Sequence, residues 1–445
     1  MKTKIFTRRI IVPAFIYLFI LGLSACNKFL DIQPSDAVSD EAAIIDKASA
    51  ENAVRGCYRA LSAGGYYGST FQVDVMLAGN TIAYTQSGAS ALQFLYHTLA
   101  ADNNDLEAIW SSQYAVVNQA NFVIAKVPGL NDASLPDAEK QQLLGEGYFI
   151  RALAYFDLAR TFGGVQILLT PTLKVSDKNH IPRSSQSEVY AQALKDLDSA
   201  EVLLPNTTVR NRATRKTVYA LRSRLYLYLG KWAYSEQDAS KVIEDDANYK
   251  LVKPFKQFFT SGGTTESVFE LSYSIAYPNP MFANWKQGGS YFPNDSTVAL
   301  LKDPAIGGTR NALLVQGGTK TLAALYPQSN GTDPVYVIRI AELWLIRAED
   351  RVRLGDLDGA LSDLNKVRER AGIPDSHAKS ASGLLLAIEN ERRVEFALEP
   401  QRWFDLVRTG RAEAVLHVAD EGNYVFPIPT PELEADPSLS QNSGY

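Results

Sequence analysis

The stretch ALRSRLYLYLGKWAYSEQDASKVIEDDANY (residues 220–249) returns in altered form as LIRAEDRVRLGDLDGALSDLNKVRERAGIP (345–374). Gly230 aligns with Gly355, Trp232 with Leu357, and Ser235 with Ala360. A glycine turn, then a bulky residue, then a small one three positions on describes two antiparallel helices. The small residue lets the helices approach, and the bulky one fills the groove beside it. The spacing predicts a helical hairpin in each stretch.

This is the tetratricopeptide pattern, without its closing proline. Weaker pairs near 105–162 and 185–229 extend it. The chain therefore reads as mainly α, a solenoid core of tetratricopeptide-like helix pairs with long irregular loops and a few short strands. From Asp105, Leu106, Ile109, Trp110, Tyr114, Val117, Asn121 and Ile124 share one helical face. Pro136 opens a further helix, in which Tyr148/Tyr155 and Phe149/Phe156 repeat at two turns and Gly163-Gly164 marks the end. Ser39-Asp40-Glu41 opens an earlier helix that stops at Gly64-Gly65, and helices resume at Val335. Two insertions interrupt them. Residues 64–104, rich in Gly, Ser, Thr, Asn and Tyr, read as irregular with one short helical turn near Val73–Leu77. Residues 250–334 are rich in proline and paired glycines, and SVFELSYS (267–274) reads as a short strand. Loops this long inside a compact domain are usually functional.

The N-terminus carries its own signal. Lys2, Lys4, Arg8 and Arg9 precede an apolar run, Ile10 to Leu23. That run has the length of a signal-peptide core and falls short of the ~20 residues a spanning helix needs. Leu23-Ser24-Ala25-Cys26 resembles the bacterial lipobox, in which the cysteine is lipidated and the peptide is cut before it. Residues 1–25 are then a lipoprotein signal peptide, Cys26 the lipid anchor, 26–38 an extended leader, and 39–445 a single domain. Several acyl chains on one residue give a stable membrane anchor.

The composition is that of a globular chain: 46% apolar, 21% charged, net charge −5. Losing the four basic residues of the signal takes that charge from −5 to −9. Phosphate backbones need a basic surface, so nucleic acid is excluded as a partner. Cys57, left without a disulfide partner, reads as a small buried hydrophobe.

Glu391, Glu395 and Glu399 stand one helical turn apart. Paired carboxylates could perform acid/base hydrolysis. Arg392, Arg393, Arg402 and Arg408 crowd them, which lowers carboxyl pKa values and spoils a general acid, so salt-linked packing is the better reading. Asp405 and Arg408, three apart, read as an ion pair. His97, His180, His377 and His417 have no ligand partner at helical spacing, so no metal is expected. No phosphate loop, dinucleotide fingerprint or nucleophile elbow appears, and no cofactor is expected. Tyr148, Phe149, Tyr155, Phe156, Trp344 and Trp403 fall on helical faces and read as core. Tyr66, Tyr67, Tyr84, Tyr277, Trp285 and Tyr291 sit in Gly/Pro/Asn-rich loops. They either pin those loops to the core or stack on sugar rings, with Asn80, Gln86 and Asn284 meeting hydroxyls.

SACNKFLD, AIWSSQYAVVNQAN, GEGYFIRALAYFDLARTFGGV, RIAELWLIRAEDRVRLGD, LNKVRERAG, ENERRVEFALEPQRWFDLVRTG and the terminal FPIPTPEL…DPSLSQNSGY occur in that order. In this ordered set the chain resembles the SusD/RagB family of outer-membrane lipoproteins. The resemblance implies a tetratricopeptide-based fold, surface exposure in a Bacteroidota outer membrane, and pairing with a SusC-like TonB-dependent transporter. It also implies non-catalytic capture of glycans for import, or of peptides in the RagB branch. A surface glycosidase and a purely structural scaffold are the competing classes.

Overall fold

A computed structural model of the protein describes residues 44–174, 177–178, 180–286 and 289–445. The signal segment, Cys26, the leader and residues 39–43, where the first helix is expected to open, lie outside the described residues. Helix α1 (Lys47–Leu61) starts at a capping box in which Asp46 accepts from the Ser49 N–H at 2.8 Å. Cys57 on this helix is fully buried, and burial pushes its thiol up to about 12.

The first insertion is more ordered than its composition suggests. After one wide turn at Gly64–Gly68 come α2 (Thr70–Ala78), β1 (Ile82–Tyr84) and α3 (Ala89–Tyr96). Residues 71–78 of α2 are all buried. The helical turn expected near Val73–Leu77 lies within it; the helix runs longer than that reading because one buried on every side carries no amphipathic period to mark its ends.

Then α4 (Asn104–Lys126), α5 (Asp137–Phe162) and α6 (Gln186–Leu203) pack in sequence. Phe149, Tyr155 and Phe156 are core, as their spacing predicts, while Tyr148 stays half-exposed. Arg151 of α5 holds Asp196 of α6 through two hydrogen bonds, at 2.7 and 2.8 Å.

The two related stretches fold as the hairpins their spacing predicts. They are α7 (Arg215–Tyr228) with α8 (Trp232–Ile243), and, after α9 (Gln257–Thr260), α10 (Pro280–Trp285) and α11 (Asp295–Lys302), α12 (Ile340–Leu354) with α13 (Leu357–Ala371). Gly230 and Gly355 turn at φ of +65° and +89°, a region that favours glycine. Ser235 and Ala360 are fully buried where the helices meet, and the Ser235 hydroxyl donates to the Ser223 carbonyl at 2.9 Å. The bulky residues are only half covered. Trp232 and Leu357 pack against the core but remain partly exposed, and the outer side of the Trp232 ring lies 5.5 Å from the Arg353 guanidinium. Helix α12 packs on both α8 and α13, joining the hairpins into one stack. The chain closes with α14 (Ala381–Glu395), α15 (Arg402–Arg408), α16 (Ala412–Leu416) and α17 (Thr430–Ala435). Among the described residues no helix is long and apolar enough to cross a membrane.

The remaining strands are β2 (Ser267–Leu271), β3 (Tyr291–Pro293), β4 (Leu314–Gly317), β5 (Lys320–Ala323) and β6 (Val335–Arg339). They pair antiparallel as β1–β3, β2–β6 and β4–β5. Residues 335–339, expected to resume the helices, form a buried strand instead. VYVIR is β-branched and aromatic, and the β2 edge satisfies its backbone.

The carboxylates Glu391, Glu395 and Glu399 are structural, but four other arginines hold them. Arg339 donates to Glu395 at 2.8 Å, Glu399 at 2.6 Å and Glu266 at 3.0 Å. Arg370 reaches Glu266 at 2.9 Å, Arg310 reaches Glu395 at 2.7 Å and also binds Glu391, and Arg368 meets Glu391 at 2.8 Å. Burial alone would raise Glu395; Arg370, Arg310 and Arg339 outweigh it and hold the carboxyl low. Glu399 differs from expectation, since burial outweighs Arg339 and leaves it raised. Arg392 instead pairs with Asp405 at 2.7 Å, and Arg408 with Asp405 at 3.0 Å, the second being the expected ion pair.

Candidate functional site

The two insertions meet. Strand β1 from the first pairs with β3 from the second, with Ile82 opposite Pro293 and Tyr84 opposite Tyr291. The Thr85 N–H donates to the Ser290 carbonyl at 2.9 Å and extends the ribbon by one bond. Asn294 clamps its base, giving both amide hydrogens to Asn80, at 2.8 Å to the carbonyl and 2.9 Å to Oδ1. Asn80 adopts a left-handed φ of +52°, which Asn tolerates better than most residues.

The ribbon carries two tyrosines side by side. The ring centroids of Tyr84 and Tyr291 lie 5.1 Å apart, tilted by 42°. This cross-strand aromatic pair stabilises the ribbon and leaves each ring partly exposed. Gly88 makes room for it, since a Cβ there would lie 2.6 Å from the Tyr84 hydroxyl. Burial raises the Tyr291 hydroxyl pKa, and the Asp74 and Asp105 carboxylates add to the shift. The Tyr291 hydroxyl therefore stays protonated. Gln86 is exposed just beyond the strand.

The other expected contacts are dispersed. Tyr66 and Tyr67 are core residues, 0% and 2% exposed, and both hydroxyls donate to Asp157, at 2.5 and 2.8 Å. Their place beside Gly64-Gly65 suggests a loop, but the wide turn folds them inward. Trp285 is also buried, at 2%, because it closes the short helix α10. None of the three offers a face to ligand. Asn284 donates to the Ser69 hydroxyl at 2.8 Å, tying the insertions together. Tyr277 is 58% exposed, but the Arg59 guanidinium already covers its ring at 4.2 Å. Tyr96, 65% exposed at the end of α3, escapes the sequence reading. Its signal is the outward position it takes once Ala91 and Phe94 set the buried face.

Away from the ribbon, a concavity of about 340 Å³ lies under the extended stretch after α5, lined by Trp110, Tyr114, Asn118 and Asn121. Its polar groups serve the fold. Tyr114 donates to the Gln166 carbonyl at 2.9 Å, and Asn118 exchanges bonds with Thr172 at 2.7 and 3.0 Å. Asn121 donates to Leu168 and Thr170 carbonyls. Side chains committed to a strap have little left for ligand.

Known proteins resemble this chain in sequence and fold. The SusD family model matches residues 284–423, and a second model, described as starch-binding associating with outer membrane, matches residues 28–227. SusD-like protein P38 of Formosa agariphila is 24% identical over 97% of this chain and 98% of its own. The starch-binding protein SusD of Bacteroides thetaiotaomicron is 23% identical over the whole of both chains. A SusD superfamily protein from Bacteroides vulgatus superposes with a TM-score of 0.78 at 22% identity, covering 89% of this chain and 99% of that one. A laminarin binding SusD-like protein gives 0.77 at 23%, covering 90% and 100%. These solved structures have the same fold.

Proposed function

The chain belongs to the SusD family, and from that premise we propose that it captures glycans at the outer membrane without catalysis. One observation carries the reading: the insertions expected to hold ligand are joined by the ribbon that presents Tyr84 and Tyr291. Tyrosine offers a rigid apolar face to a sugar ring and a hydroxyl to its polar edge, at low entropic cost. Gln86 adds an exposed amide beside them. The names of relatives agree in kind, one a starch-binding protein and one a laminarin binder. Cys26 anchors the domain through lipid, and a SusC-like TonB-dependent transporter receives the ligand. The arginine-held carboxylates on α14 support a binding role over hydrolysis, since a general acid must release its proton near neutral pH.

Isothermal titration of the purified full chain with starch and laminarin oligosaccharides tests this. Saturable binding with no shortened product supports capture. Release of product would make the protein a hydrolase. Silence toward every glycan and peptide, with transporter association intact, would make it a scaffold.

A further inference from the structure

A groove of about 530 Å³ runs between α12, α14, α15 and α16. Six arginines line it, Arg353, Arg392, Arg393, Arg402, Arg408 and Arg411, against three carboxylates, Glu349, Glu389 and Asp405. The pairing is uneven. Arg408 takes Glu349 at 2.8 Å, Arg392 takes Asp405 at 2.7 Å, and Arg411 takes Glu389 at 3.0 Å. Each carboxylate is engaged, and three guanidiniums remain. Arg353 lies against the Trp232 ring. Arg393 gives Nη2 to the Ser296 hydroxyl at 2.8 Å, and Arg402 gives Nη1 to the Gly79 carbonyl at 2.9 Å. Neither meets a carboxylate at ion-pair distance among the described residues, and each keeps two nitrogens unengaged.

Burial, with the Arg393 charge adding to it, pulls Arg402 down to about 10. Arginine stays charged even so. The groove therefore concentrates positive charge in a chain whose net charge is −5. Half-buried charges of one sign, set side by side in a concavity, oppose folding unless something completes them.

We propose that Arg393 and Arg402 form an anion site for the sulfate or carboxylate group of an acidic saccharide. Planar guanidinium forks match both groups through paired, charge-assisted hydrogen bonds. The groove is within the size range of small-ligand pockets. Arg402 also rests on the carbonyls of Gly79 and Asn80, four residues before Tyr84, so the site borders the ribbon. The saccharide half of this inference rests on the capture reading; the anion half does not.

The test titrates the full chain with sodium sulfate, sulfated and desulfated carrageenan oligosaccharides, and trigalacturonate. Sulfate should bind, and Arg393→Gln and Arg402→Gln should each weaken it at least tenfold, whereas Arg353→Gln should stay within about twofold. The carrageenan and trigalacturonate arms separate a sulfate ester from a uronate as the natural source. Because Arg402→Gln gives up backbone contacts, its melting temperature is measured, and Arg393→Gln decides if Arg402→Gln unfolds. Sulfate binding unchanged in Arg393→Gln overturns the site. Sulfate binding lost in the variants, with neither acidic saccharide preferred over the desulfated one, overturns the saccharide half. Starch or laminarin binding that persists in Arg393→Gln shows that the capture reading stands apart from the anion site.

Discussion

Arg339, the last residue of β6, places Nη1 2.8 Å from Glu395 of α14, and both side chains are fully buried. The bond ties the strand that opens the second helical hairpin to the helix that closes over it. Arg339→Ala would leave buried Glu266 and Glu395 short of a cation, a loss of about 3–5 kcal/mol. Urea unfolding should show it. A loss below about 1 kcal/mol would mean that Arg370 and Arg310 suffice.

Asp350 on α12 behaves in the opposite sense to Glu395. Burial pushes its carboxyl up to about 8; Glu349 and Glu236 add to that, and Ser235 and Arg408 oppose it. The folded state therefore holds a proton that the unfolded chain has released above pH ~4. Stability should fall as pH rises from there to about 8, each unit of separation being worth about 1.4 kcal/mol. In Asp350→Asn the slope of melting temperature between pH 5 and pH 8 should flatten. An unchanged slope would place the titrating group elsewhere.

Tyr84→Ala and Tyr291→Ala should each weaken a confirmed glycan by about 1–3 kcal/mol, on the scale of aromatic stacking on a flat ring. Unfolding by heat should change little, because both rings are partly exposed. Tyr66→Phe, by contrast, should leave glycan affinity alone and lower stability, since it removes a buried donor to Asp157. Wild-type affinity in both ribbon variants would move the site off the ribbon.

Cys26→Ala should release the protein from the membrane fraction after signal cleavage. Retention through a salt wash would point to an anchor other than lipid.

The helix hairpins were legible because Gly230, Ser235, Gly355 and Ala360 mark a local geometry, and local geometry is written in adjacent letters. The loop aromatics were harder. Tyr66 and Tyr84 have similar neighbours in the chain, yet one is buried against Asp157 and the other rides a strand. What separates them is contact with residues far along the sequence. The same holds for Glu395, which has Arg392 and Arg393 as near neighbours in the chain but is held by arginines at positions 310, 339 and 370. Helix α2 was legible only as the turn Val73–Leu77, because a helix buried all round has no polar face to set a period and mark its ends.

The ribbon has a kinetic consequence. Thr85 and Ser290, whose bond extends it, are 205 positions apart, and only three residue pairs form the strands. So short a ladder has few bonds to break, and its closure waits on the core that brings the insertions together. It should be the last joint to set and the first to open, while the longer, fully buried β2–β6 pair stays shut. Amide exchange at Thr85 should then outpace exchange at the buried Phe269 on β2 by orders of magnitude, and a bound saccharide should slow it. Opening of this joint would then undo three residue pairs and leave the helices where they are.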